Sequence, residues 1–242
     1  IDAFNYFSLY PATNNISYRS PEFTDQTFTQ FAIKTGWQSR QHDRKYTYGV
    51  NFAFSHGGFS KNAFEDFGAL KENNFRVKLN ADYLLKDNLK AGAIIDFEFA
   101  NYSKSAELDI DTWKIAQRKD NNIGLLKLTP FIRYQREDVL LQIGLNADVS
   151  INSGTAFRIS PNVKAEYEFA SGFGLFIDLQ GGKFMNNLWR MKALDRYVNP
   201  SFVYNSSFIP LDLEAGFNIG GFAGFEAKMF GGFAKSMYLC NR

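Results

Sequence analysis

Tyr46-Thr47-Tyr48-Gly49-Val50-Asn51-Phe52-Ala53-Phe54-Ser55 sorts its side chains with a period of two. Tyr46, Tyr48, Val50, Phe52 and Phe54 fall on one face, and Thr47, Gly49, Asn51, Ala53 and Ser55 on the other. Successive side chains of an extended chain point to opposite sides, so sustained alternation specifies a two-faced β-strand. The pattern recurs. At 75–84, Phe75, Val77, Leu79, Ala81 and Tyr83 oppose Arg76, Lys78, Asn80 and Asp82. At 89–99, Leu89, Ala91, Ala93, Ile95, Phe97 and Phe99 oppose Lys90, Gly92, Asp96 and Glu98, with Ile94 the one apolar residue on the polar side. Residues 157–169 repeat it, with Phe157, Ile159, Val163, Ala165, Tyr167 and Phe169 against Arg158, Ser160, Asn162, Lys164, Glu166 and Glu168. Weaker versions at 27–38, 123–134, 140–150, 173–180, 210–219 and 225–234 bring the expectation to about ten strands, with no amphipathic helix of normal length.

The connections alternate as well. Tight turns are expected at 41–45, 85–88, 135–138, 170–172 and 220–224. Longer polar stretches fall at 56–73, 100–122 and 181–209, with a short one at 151–156. Short turns at one end and long loops at the other describe an up-and-down antiparallel meander. Charges support the hairpins. Tyr83 opposite Ala91 sets Lys78 against Asp96 and Arg76 against Glu98, whereas a slip of two sets Asp82 against Lys90 and Arg76 against Asp96. Phe169 opposite Phe173 brings Lys164 to Asp178, and Tyr134 opposite Leu141 brings Lys127 to Asp148. Opposite charges facing across strands stabilise such pairs.

Composition narrows the class. The 242 residues carry 27 Lys+Arg, 25 Asp+Glu and two His, with a net charge of +2 and interspersed signs, so a nucleic-acid partner is not expected. A single cysteine, Cys240, excludes an internal disulfide framework and a cysteine-based zinc site. No cofactor or metal is expected. No apolar run is long enough for a transmembrane helix. Ile1-Asp2-Ala3-Phe4 shows neither a basic nor an apolar leader region, so any signal peptide is expected to have been removed. Aromatics make up 17% of the chain, yet 21% is charged, so the two kinds of residue must occupy different faces.

Which face meets water separates a soluble sandwich from a membrane barrel. Three features favour the membrane. The alternating segments reach ten to thirteen residues, beyond the usual soluble strand of about 5–6 and near the roughly 9–11 of a tilted spanning strand. Aromatics sit at both ends of the apolar faces of 46–54, 75–83 and 157–169, with aliphatic residues or alanine between, as interfacial girdles do. The polar face mixes Gly, Ala, Ser and Asn with paired charges, and Gly144 opposite Phe131 makes room for a ring. The expected fold is therefore all-β: an antiparallel up-and-down transmembrane β-barrel of about 10–12 strands, whole or part of a larger barrel.

Arg196-Tyr197-Val198-Asn199-Pro200, followed by Ile209-Pro210-Leu211-Asp212-Leu213-Glu214-Ala215-Gly216-Phe217 and the turn Gly220–Gly224 to Phe225, resembles a loop closing on Asn-Pro and re-entering a membrane strand. In this the chain is similar to Gram-negative outer-membrane β-barrels, most of all to the barrel portion of TonB-dependent-receptor-like proteins. The resemblance implies an outer-membrane location and membrane lipid as the surroundings. It also implies transport of small solutes or nutrients, passive or receptor-type. A plug domain and a TonB-box segment are missing, so energised import does not carry over. The ending Tyr238-Leu239-Cys240-Asn241-Arg242 lacks the usual terminal aromatic, and with the abrupt start at Ile1 it leads to the expectation of a piece of a longer protein. Residues 1–26 read as an N-terminal strand and loop segment, and 27–242 as barrel strands.

Four groups of residues are candidates for function. The lumen-lining set is Arg76, Lys78, Asp82, Lys90, Asp96, Glu98, Lys127, Asp148, Arg158, Lys164, Glu166 and Asp178, read either as a selectivity lining or as a paired network holding a narrow barrel shut. The lipid-facing girdle is Tyr46, Tyr48, Phe52, Phe54, Tyr83, Phe97, Phe99, Tyr167 and Phe169. Phe59, Phe64, Trp113, Trp189 and Arg190, in the long loops, are candidates to bind an extracellular nutrient, a glycan or a partner outer-membrane protein, or else to cap the barrel. His56, with Glu65 and Asp66 nearby in sequence, is the base a barrel hydrolase would use, against a plain loop histidine beside Gly57-Gly58; no enzymatic activity is expected. A non-conducting structural or adhesive barrel and a soluble ligand-binding β-sandwich stand as alternatives.

Overall fold

The computed structural model describes residues 2–7, 25–39, 45–61, 71–103, 122–170, 172–194, 206–222 and 225–237. They form one sheet of eleven antiparallel strands in sequential order. These are β1 (Asp2–Phe7), β2 (Asp25–Gln38), β3 (Tyr46–Lys61), β4 (Lys71–Lys86), β5 (Leu89–Tyr102) and β6 (Asn122–Gln135). They continue with β7 (Val139–Ile151), β8 (Phe157–Ala170), β9 (Phe173–Phe184), β10 (Ser207–Phe222) and β11 (Phe225–Met237). One short helix, α1 (Leu188–Leu194), lies between β9 and β10. Every neighbouring pair is consecutive in sequence, the up-and-down topology that the alternating short and long connections call for.

The hairpin registers follow the charges. Tyr83 pairs with Ala91, Lys78 with Asp96 and Arg76 with Glu98. The Arg76 guanidinium nevertheless reaches diagonally to both oxygens of Asp96, at 2.8 and 2.5 Å, so the register comes from one expected alignment and the ion pair from the other. Tyr134 pairs with Leu141 and Lys127 with Asp148. Lys164 pairs with Asp178, but its ammonium turns along its own strand to Glu166, 2.7 Å away. Phe169 does not face Phe173 as expected, because the ladder slips there and Ala170 takes that place.

The strands outrun their sequence signal, and the sheet is open. β3 continues through His56, Gly57 and Gly58 to Lys61, and β4 begins at Lys71, so much of the expected loop 56–73 is strand. β1 is a strand within residues 1–26, the segment read as strand and loop, and the eleven strands fall within the expected 10–12. β10 starts at Ser207 and runs to Phe222, inside the expected loop at one end and the expected turn at the other. Among the described residues β1 and β11 form the two edges and do not pair, so the expected closed barrel is a barrel-like wall here. The wall curls toward its polar side, since β6 and β9, three strands apart, come into contact.

Candidate functional site

The two faces of the wall have opposite chemistry to those of a water-soluble sheet. From β3 to β9 the convex positions run Tyr46 to Phe54, Phe75 to Tyr83, Leu89 to Phe99, Gly124 to Tyr134, Val139 to Ile151, Phe157 to Phe169 and Phe173 to Leu179, and none of them is charged. These side chains are bare: Ile143 is 57% exposed, Ile159 56%, Leu145 54% and Ile132 54%. On the other face Asp148 is fully buried, and Glu72, Asn74, Glu98, Thr129, Gln142, Asn146, Ser150 and Ser160 are buried with it. A protein folding in water does the reverse.

The convex apolar band has a visible upper edge. Phe54, Phe75 and Phe99 share a rung, and one step toward the loops the rung reads His56, Asn73, Asn101 and Asn122. His56 Nδ1 lies 2.7 Å from Asn73 Oδ1, and the Asn101 amide donates to Asn122 Oδ1. Polar side chains thus take over on the outer face directly above the rings. From Tyr46 to Phe54 the band is nine residues long, the length a tilted spanning strand requires. Tyr46, Tyr48, Phe52, Phe54, Tyr83, Tyr167 and Phe169 are exposed on this face, and Phe97 and Phe99 stack there half-buried with centroids 6.5 Å apart. Phe59 is a strand residue of β3, its backbone opposite Phe28, rather than a loop residue. Phe64, Trp113, Glu65 and Asp66 lie outside the described residues.

All twelve lumen candidates sit on the concave face, where the strand registers set them in shared rungs. Lys78, Asp96, Lys127, Asp148 and Arg158 occupy one rung across β4 to β8. Asp82 lies on the next rung but one, with Gly92, Phe131, Gly144 and Asn162. Lys90, Lys164 and Asp178 lie one further rung toward the turns, and Glu166 beyond that. Six of the twelve are cationic and six anionic.

Sequence reasoning missed the amides between them. Arg133 donates twice to Gln142 Oε1 (3.0 and 2.7 Å), and Gln142 donates to Asn162 Oδ1 (3.0 Å). Thr129 and Asn162 both donate to Asn146 Oδ1, and Asn146 donates to the Gly181 carbonyl. Their inward parity was the available signal. Phe131 lies among them over Gly92 and Gly144: a Cβ on Gly92 would come 2.6 Å from its Cζ, and one on Gly144 2.9 Å from its Cβ.

At the loop end, the chain leaving β9 folds onto the concave face. Met185 and Leu188 are fully buried there against Ala100, Tyr102, Ile123 and Leu125, with Met191 completing the cluster. These four wall positions point inward but are apolar or aromatic, a local break in the polar-inside rule where the segment docks. Its polar groups are seated too. Asn187 donates to Glu98 Oε1 (2.9 Å), the Leu188 N–H donates to Glu72 Oε2, and Arg190 Nη2 lies 3.5 Å from Glu98 Oε2. Asn187 Oδ1 accepts from the Arg190 N–H (2.9 Å) and so caps α1, leaving the Leu188 N–H for the carboxylate. Arg190, a candidate either to bind a ligand or to cap the barrel, is turned toward the wall, while Trp189 beside it is 39% exposed.

A second knot fixes the neighbouring loop. Lys183 donates from its backbone to Asp148 Oδ2 (2.8 Å) and from its ammonium to the carbonyls of Ser153 and Thr155. Ser153 Oγ accepts the Ser206 N–H (2.8 Å) and meets Ser206 Oγ at 2.6 Å. The Ser153 loop turns through left-handed conformations at Asn152 and Gly154. At the opposite end, the concave face opens into a recess of about 710 Å³ lined by Glu166, Glu168, Asn218, Glu226 and Lys228.

No protein-family model matches the chain, and no curated protein matches it. Among solved structures it is similar to the translocator domain of the autotransporter NalP from Neisseria meningitidis, at a TM-score of 0.35 and 10% identity, covering 87% of this chain and 75% of that one.

Proposed function

We propose that the chain is the wall of an outer-membrane β-barrel that admits small polar solutes passively through a narrow lumen. The observation that carries this reading is the inverted wall: an uncharged, solvent-bare apolar face over a buried polar one. Lipid offers no hydrogen bonds, so a spanning sheet must turn its polar side chains inward and satisfy its backbone between strands. A sandwich would need a second layer over the apolar face, and the described residues form a single sheet. The near-balance of inward charge supports weak preference between cations and anions.

Two measurements test it. Folded protein on an SDS gel should migrate differently before and after boiling. Incorporated into a planar bilayer, it should give discrete conductance steps with a reversal potential near zero in a salt gradient. Solubility in plain buffer, with no heat shift, would overturn the reading. A second reading, a filled and non-conducting structural barrel, draws support from the unbroken amide ladder between Arg133 and Gly181. A heat-shifting protein that never conducts would favour it. Receptor-type uptake rests on the likeness of Ile209 to Phe217, which lies in β10; Arg196 to Pro200 fall outside the described residues.

A further inference from the structure

We infer that the segment Met185–Met191 is a lumen strap that sets the bore of the barrel at its loop end, with Glu72 and Glu98 as its seat; this deepens the pore reading and rests on it. The segment leaves the wall at β9 yet is held at β4 and β5, so it crosses the concave face instead of rising away from it.

The seat is built from three kinds of interaction. Its apolar part is Ala100, Tyr102, Ile123 and Leu125, a cluster of inward apolar positions on a face that elsewhere is mostly polar. Met185 and Leu188 are fully buried on it. Its charged part is Glu72 and Glu98, 5% and 7% exposed, which a lumen filled with water would leave bare. Glu98 accepts from Asn74 of the wall (3.1 Å) and from Asn187 of the strap, with Arg190 beside it. Its third part is the exit: Asn186 and Ser207 hydrogen-bond at 3.0 Å, and Arg190 donates to the Met185 carbonyl at 2.8 Å, so the strap is braced where it departs the wall. A loop that merely brushed the wall would not bury two carboxylates against its own amides. The turn end carries no such segment among the described residues and opens into the Glu166–Lys228 recess. Among the described residues the strap is the segment that crosses the concave face, and on this inference the narrowest section lies there.

The test compares the unit conductance of three proteins in planar bilayers: the unaltered chain, Glu72→Gln with Glu98→Gln, and Leu188→Ser with Met191→Ser. The first variant removes the charged seat and the second loosens the apolar one without altering any wall residue. Both should retain the heat-dependent gel shift, and both should conduct about twofold more or better than the parent, because a released strap widens the narrowest section. A silent parent with conducting variants supports the inference equally, the strap then closing the bore outright. Equal, non-zero conductance in all three overturns the strap and leaves the pore standing. Silence in all three, with the gel shift intact, overturns both.

Discussion

Phe131 illustrates how one ring is accommodated inside a polar wall. It points inward between Gly92 and Gly144, and a Cβ at either glycine would fall within 3 Å of it. A Cβ at Gly144 would also meet the Pro130 carbonyl at 2.7 Å, so the backbone has no room to yield. Gly144→Val should therefore cost about 1–3 kcal/mol, as overpacking does, and lower the temperature of the gel shift. Half of this arrangement is legible in the sequence, where Gly144 faces Phe131 once the hairpin register is set. The Gly92 half depends on the β5–β6 register, which a long connection leaves undetermined. The same limit applies to the amides. Gln142 and Asn146 have inward parity, but which of them meets Arg133, Thr129 or Gly181 depends on neighbours far away in sequence.

At the scale of elements, the apolar core of each strand was readable and its polar extension was not. Lys71-Glu72-Asn73-Asn74 looks like a loop because both of its faces are polar, yet it opens β4. Above the apolar band the outer face turns polar, so alternation disappears while the ladder continues. This is why Glu72 escaped notice as a lumen residue, and why His56 read as a loop residue although it sits in β3 opposite Asn73. The strap was hidden for a related reason: a seven-residue helix has no periodic signature, and its seat lies 89 and 116 residues away in sequence. The Ser153 loop offers a check on how firmly such connections are tied. Ser153→Ala leaves the buried Ser206 N–H without its acceptor, which should cost about 1–3 kcal/mol. The gel-shift temperature should fall while unit conductance holds at the parent value. A large rise in conductance would mean that this loop, and not the strap, governs the bore.

For the molecule as a whole, the decisive property is which face meets lipid. Ile143→Arg puts a charge on an exposed stretch of the convex face, at an expected cost of about 2–4 kcal/mol near the bilayer midplane, and heat-shifting protein should be largely lost from membranes. Lys164→Gln, on the concave side and ion-paired with the half-exposed Glu166, should assemble normally. If the damage falls on the second variant and spares the first, the faces are reversed. The strap also has a mechanical meaning at this scale. By joining the end of β9 to β4 and β5 it forms a chord across the arc of the curled wall, and a chord fixes the radius of the arc it subtends. Flattening the loop end would stretch the Asn187–Glu98, Leu188–Glu72 and Arg190–Glu98 contacts together, whereas the turn end has no tie among the described residues. In the proposed membrane setting, lateral pressure from a bilayer would be resisted unequally along the wall: the strapped loop end would keep its cross-section, and the turn end would ovalise first.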